Sequence, residues 1–271
     1  MLLTQNREMR ADGIWNFTLP AWVIQLDDGS HFNVCPNAGA CAKFCYARNG
    51  TYLFPVVKAK HLANLTLVKD NPLWPEAMLE ELARRKFRPS GKPRTIPGLE
   101  STGHLSPPVQ EWAREGGQAI RIHDSGDFFS MHYFMQWMTV VGAQPDVLFY
   151  AYTKQVSMLQ PLTRSGTLPP NMLIVYSLGG REDGLLDHDV DRHADVFPSL
   201  AAVVDAGYAS QHESDLLSVL LPTTRIGIPA NNIRHFNARL AGKTFSEAQL
   251  LRKKRTHPHK STKSRGDEND T

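Results

Sequence analysis

Three cysteines, Cys35, Cys41 and Cys45, fall within eleven residues, and the 271-residue chain contains no other. Residues 35–47 read Cys-Pro-Asn-Ala-Gly-Ala-Cys-Ala-Lys-Phe-Cys-Tyr-Ala, with small residues between the first two thiols that let the backbone wrap an object. Three thiolates on one short loop can hold three irons of a [4Fe-4S] cubane and leave the fourth iron open to a small molecule. Three thiolates plus a histidine, with His31 and His61 near in sequence, would instead close a tetrahedral zinc site. The spacing C-x5-C-x3-C differs from the C-x2-C pairs of common zinc knuckles, which favours the cluster. Cysteine also packs as a small apolar residue, but this clustering argues against three inert core thiols.

A second set of chemical residues sits where strands are expected to end. Ala119–His123 reads as a strand and is followed by Asp124-Ser125-Gly126-Asp127; Val147–Tyr152 is followed by Thr153-Lys154. Met172–Ser177 is followed by Leu178-Gly179-Gly180-Arg181, and Leu200–Val204, read as a fourth strand, by Asp205-Ala206-Gly207. In barrels and open α/β sheets alike, ligands bind at the C-terminal ends of parallel strands. A rival reading takes His123, Asp124 and Asp127 with the run Asp187-His188-Asp189-Val190-Asp191-Arg192-His193-Ala194-Asp195 as ligands of a divalent-metal hydrolase. For the second stretch a solvated charged face is the plainer expectation.

These residues need a scaffold. Helical patterns over Met131–Val141 and Val156–Leu162 alternate with the strands, so the fold class is α/β: a parallel sheet of β/α units, partly TIM-barrel-like. Val23–Leu26 and His31–Val34 flank Asp27-Asp28-Gly29-Ser30 as an N-terminal β-hairpin that leads into the Cys-rich loop. Helices are expected from Pro55 to Lys69 and from Pro75 to Phe87, and residues 88–108, rich in proline and glycine, read as a loop. The aromatic run Phe128, Phe129, Tyr133, Phe134 and Trp137 reads as core.

The cysteine loop ending in Cys-Tyr-Ala, the run Arg121–Ser130 (Arg-Ile-His-Asp-Ser-Gly-Asp-Phe-Phe-Ser) and Phe149–Lys154 (Phe-Tyr-Ala-Tyr-Thr-Lys) together resemble the bacteriophage gene-product-88 family. More distantly, a three-cysteine loop ahead of parallel β/α units resembles phage-encoded radical S-adenosylmethionine proteins. That second resemblance implies a [4Fe-4S] cluster on Cys35, Cys41 and Cys45, S-adenosylmethionine on its open iron, and an external electron donor. With a cofactor on that cluster, the order of the strand ends would bring Ser125, Gly126 and Asp127 to its ammonium, Thr153 and Lys154 to its carboxylate or a substrate phosphate, and Ser177 to the nucleoside. The spacing departs from that family's C-x3-C-x2-C in both intervals, so cluster binding is better supported than radical chemistry.

Composition bounds the rest. The chain is 41% hydrophobic, 9% aromatic and 21% charged, which excludes a disordered, collagenous or disulfide-dense protein. Its net charge of +3 comes from the end: residues 252–271 hold seven Lys/Arg against three acids. One domain over 1–251 with a disordered basic tail over 252–271 is therefore expected, with His257 and His259 in that tail. The near-neutral body argues against a zinc-stabilised nucleic-acid-binding module, although a nucleotide or nucleic-acid substrate fits a phage setting. No apolar run suits a membrane span, and the polar start argues against a signal peptide, which predicts a host-cytoplasmic protein.

Overall fold

The computed structural model describes residues 1–26, 28–230 and 238–256. Seven strands form one wholly parallel sheet: β1 (Ile14–Phe17), β4 (Ala119–Ile122), β5 (Leu148–Thr153), β6 (Met172–Ser177), β7 (His193–Phe197), β8 (Ala209–Ser210) and β9 (Arg225–Pro229). Their order is β1-β4-β5-β6-β7-β9-β8. Strands follow chain order across most of the sheet, as in a barrel. The sheet nevertheless stays open among the described residues, with β1 and β8 as its edges. A short hairpin of β2 (Val23–Gln25) and β3 (His31–Asn33) stands apart, as expected.

The central strands are nearly continuous apolar runs because both sheet faces are covered. On one face Phe17, Ile120, Ile122, Phe149 and Ile174 pack with Trp74 and Met78 of α4 (Trp74–Leu82), Phe134 and Trp137 of α6 (Met131–Gly142), and Leu159 of α7 (Val156–Ser165). On the other, Ile14, Ala119, Leu148, Tyr150, Val175 and Ile226 meet Trp112 of α5 (Pro107–Glu115) and Leu217 and Leu220 of α9 (Leu217–Leu220). Tyr133, Phe134 and Trp137 lie within α6 at helical spacing and are buried, so that aromatic run is core. Ser130 starts the helix by accepting from the Tyr133 amide at 3.2 Å.

Several expectations move. Leu200–Val204 is not a strand but lies in α8 (Leu200–Asp205): Ser199 Oγ caps it by accepting from Ala202 N at 3.2 Å, and Asp205-Ala206-Gly207 closes it. The fourth strand of the β/α series is β7, whose His and Asp disguise it as a charged loop. Chain 88–108 is irregular only until Pro107, which opens α5 at a position where proline loses no hydrogen bond. Helix α3 (Pro55–Asp70) matches its expected span, whereas α4 ends at Leu82 and the chain continues to Phe87 through a 3₁₀ turn (Arg85–Phe87). Helix α10 (Phe245–Thr256) takes in the first five residues of the expected tail; His257, His259 and the rest of 257–271 lie outside the described residues. No helix among the described residues is long and apolar enough to cross a membrane.

Candidate functional site

The C-terminal ends of the strands open into a pocket of about 460 Å³. Asn16, Arg121, Tyr152, Ser177, Val196 and Ile228, from β1, β4, β5, β6, β7 and β9, all line it. Pairing places Asn16 beside Arg121 on adjacent strands. Cys35, Cys41 and Cys45 line the same pocket, as do Ser125 and Gly126.

Backbone geometry brings the cysteine loop over the strand ends. Ala38 bridges Gly180, Arg181 N donates to Asn37 O at 2.9 Å, and Cys41 N donates to Gly179 O at 3.2 Å. Asn37 Nδ2 donates to Gln155 Oε1 at 2.9 Å, and Ala40 N donates to Gln249 Oε1 of α10 at 2.6 Å. Gly39 is obligatory here: a Cβ would stand 2.3 Å from Gln249 Oε1 and 2.6 Å from Gly179 O. The short helix α2 (Cys41–Phe44) then carries Cys41, and Cys45 follows directly.

Burial pushes all three thiols up in pKa. Opposing it, the backbone amides of Trp22, Gly39 and Ala47 stabilise the thiolates of Cys35, Cys41 and Cys45 respectively, and the Lys154 charge favours those of Cys41 and Cys45. Amide contacts to each sulfur are what a thiolate-held cluster uses to tune itself. Among the described residues no three His, Cys, Asp or Glu side chains group as a site for a single ion, and His31 and His61 do not line the pocket. A zinc ion needs four donors about one point, whereas a cubane takes its thiolates on separate irons around a shared cavity. Three thiols are the number that such a cluster takes from a protein when one iron is left open.

The expected cofactor residues divide. Ser125, Gly126 and Ser177 line the pocket; Asp127, Thr153 and Lys154 do not. Asp127 is buried and its oxygens are already engaged: Oδ1 accepts from Phe128 N at 2.8 Å and Thr153 Oγ1 at 2.6 Å, and Oδ2 from Lys154 N at 2.9 Å. Lys154 Nζ donates to Ser177 O at 2.9 Å, Ser177 Oγ at 2.6 Å and Leu178 O at 3.1 Å. These three residues form a clasp across the ends of β4, β5 and β6. It holds the pocket wall and offers the ammonium of a cofactor no free carboxylate.

The hydrolase ligands scatter as well. His123 Nε2 pairs with Tyr133 OH at 2.8 Å, and burial pushes its pKa down to about 3, so the ring is neutral. Asp124 accepts from Thr18 Oγ1 and, at 3.0 Å, from Tyr52 OH. In the second stretch Asp189 pairs with Arg225 and Asp191 with Arg164, each at 2.7 Å. Asp195 accepts from Phe245 N at 3.0 Å and Ser246 Oγ at 2.5 Å at the start of α10.

One cluster escaped the sequence reading. Arg121 lies 3.4 Å from Asp215, which also accepts from Tyr150 OH at 2.5 Å and Tyr152 OH at 3.2 Å; the guanidinium sits 4.8 Å from the Tyr152 ring centre. The available signal was a lone arginine inside the apolar strand Ala-Ile-Arg-Ile. Of six buried side-chain polar atoms without a hydrogen-bond partner among the described residues, four, Asn16 Oδ1, Arg121 Nε, His123 Nδ1 and Ser125 Oγ, belong to residues lining the pocket. Buried polar atoms are rarely left unmet, and such a concentration marks a place built for a ligand.

Fold and site together define an open parallel α/β protein with a pocket at its strand ends that three cysteines of one loop help to line. The chain belongs to the Gene product 88 family, whose family model matches residues 1–257. It is 33% identical over 132 residues to the gene 88 protein of Mycobacterium phage L5, and 31% identical over 132 residues to that of Mycobacterium phage D29. Each alignment covers 48% of this chain and 46% of the phage protein, so the chain spans about half the length of these relatives. No solved structure matches.

Proposed function

We propose that this protein is an iron–sulfur enzyme that binds a [4Fe-4S] cluster through Cys35, Cys41 and Cys45 and uses S-adenosylmethionine in the same pocket. The observation carrying this reading is that all three thiols line one strand-end pocket whose other walls hold four unmet polar atoms. When bound, the cluster would supply an electron to the sulfonium of the cofactor. The chain's own residues orient and shield. Ser125 Oγ and Ser177 face the cofactor's polar end, and Gly126 lets its backbone approach closely; a Cβ there would meet Leu19 Cβ at 2.6 Å. Asp127, Thr153 and Lys154 fix that wall from behind. Val196, Ile228 and Phe245 supply apolar walls that keep water out.

Anaerobic purification with assays of iron, sulfide and zinc tests the proposal, followed by visible spectra with and without S-adenosylmethionine. Expected are about four irons and four sulfides per chain, a spectral change on adding the cofactor, and loss of iron in Cys35→Ala, Cys41→Ala and Cys45→Ala. Zinc without sulfide sinks the cluster. Iron and sulfide with no response to S-adenosylmethionine sinks the cofactor and leaves the cluster.

A further inference from the structure

Between Asp28 and Asp70 the chain contains no acidic residue, yet it holds Lys43, Arg48, Lys58, Lys60 and Lys69. This stretch contains the cysteine loop, and Lys43 and Arg48 are chain neighbours of Ala42 and Ala47, which line the pocket, even though the body as a whole is near neutral. Three of the five are engaged: Lys60 donates to Met1 O and Asn64 Oδ1, Lys69 pairs with Asp70, and Arg48 Nη1 donates to Ala42 O at 3.1 Å, which leaves its other guanidinium nitrogens for a ligand. Lys43, Arg48 and Lys58 are exposed, and none forms an ion pair among the described residues.

Aromatic rings stand among these cations. Trp22, Tyr46 and Tyr52 line the pocket, and the Arg48 guanidinium lies 5.0 Å from the Trp22 ring centre. Trp22 adopts a left-handed backbone at φ 61°, which costs a non-glycine residue energy and marks a conformation held for use. Asn16 Oδ1, in a residue 4% exposed, and Arg121 Nε on the paired strand line the same pocket, neither with a hydrogen-bond partner among the described residues. Interleaved cations and rings form the footprint of a single-stranded nucleic acid, and buried unmet donors and acceptors suit the edge of one base.

We propose that the rim binds a single-stranded nucleic acid, its phosphates on Lys43, Arg48 and Lys58, and that one base enters the pocket toward Asn16 and Arg121. This names the substrate class of the site described above and rests on that reading for its chemistry. Binding itself needs no cluster. The near-neutral charge of the body does not oppose this, because averaging over 251 residues hides a local run of cations.

Fluorescence anisotropy with a labelled single-stranded oligonucleotide tests it, using the full chain at several salt concentrations with iron content measured in parallel. Each phosphate neutralised on a single strand contributes about 0.7 to the slope of log affinity against log salt. Lys43→Gln/Lys58→Gln, two exposed changes that leave the core untouched, should therefore reduce that slope by about 1.4. Tyr46→Leu should weaken binding roughly 5- to 150-fold, the range for losing one stacked base. An unchanged slope in the double variant would assign binding to the basic tail and overturn the proposal. So would equal affinity for duplex, for a mononucleotide, or for polyglutamate of matched charge. Iron-free protein that binds the oligonucleotide retains this proposal and removes the cluster; iron-loaded protein that does not bind does the reverse.

Discussion

Asp127 and Ser125 stand two residues apart on one turn and have separate tasks. Asp127 accepts three hydrogen bonds that join strand ends, whereas Ser125 Oγ is buried at the pocket without a partner in the chain. Asp127→Ala leaves the Thr153 hydroxyl and the Lys154 amide unmet, and should cost about 1–3 kcal/mol in urea unfolding. Ser125→Ala should stay within about 0.5 kcal/mol of the parent and weaken cofactor binding, read from the spectral titration. His123 sets a pH dependence. Its folded pKa of about 3 lies below the ordinary 6.5, so its contribution is complete above pH 6.5 and fades as acid drives the unfolded chain to take up the proton. The slope in that window approaches about 1.4 kcal/mol per pH unit. His123→Asn, which tolerates the left-handed φ of 67° at this position, should flatten stability between pH 6.5 and 4 in denaturant titrations.

At the level of elements, legibility followed burial. Strands β4, β5 and β6 were readable because a strand covered on both faces becomes an apolar run, and α3 because Pro55 marks its first turn. Strand β7 was not: Asp195 serves as a cap for α10, a purpose visible only once residues fifty apart in sequence meet. Helix α8 reads as a strand because five apolar residues carry too short a pattern to separate the two periods. In the site, the cysteines and Ser125, Gly126 and Ser177 were legible from type and position. Arg121 and Asn16 were not, because strand pairing alone sets them side by side. Gly39→Ala should lift the cysteine loop off β6 and α10, costing about 1–3 kcal/mol and lowering iron content beyond what the lost stability explains, as read by metal analysis of folded protein. Asp195→Ala should free the start of α10, seen as faster amide exchange at Phe245 and Ser246 with the central strands unchanged.

Across the whole molecule, the sheet works as a one-sided device. Two hydrophobic layers cover its faces, and the edge where the strands end carries the three cysteines, Arg121, Ser125 and Ser177 around one pocket. Failure of any single expected activity would leave this asymmetry to be explained.

The contact between Ala40 and Gln249 spans 209 positions. On a ribosome adding about 5–20 residues per second, that interval lasts about 10–40 s. Over that interval the cysteine loop lacks the Gln249 contact that seats Ala40 against α10. Cells short of reductant during that delay should therefore yield chains with oxidised cysteines.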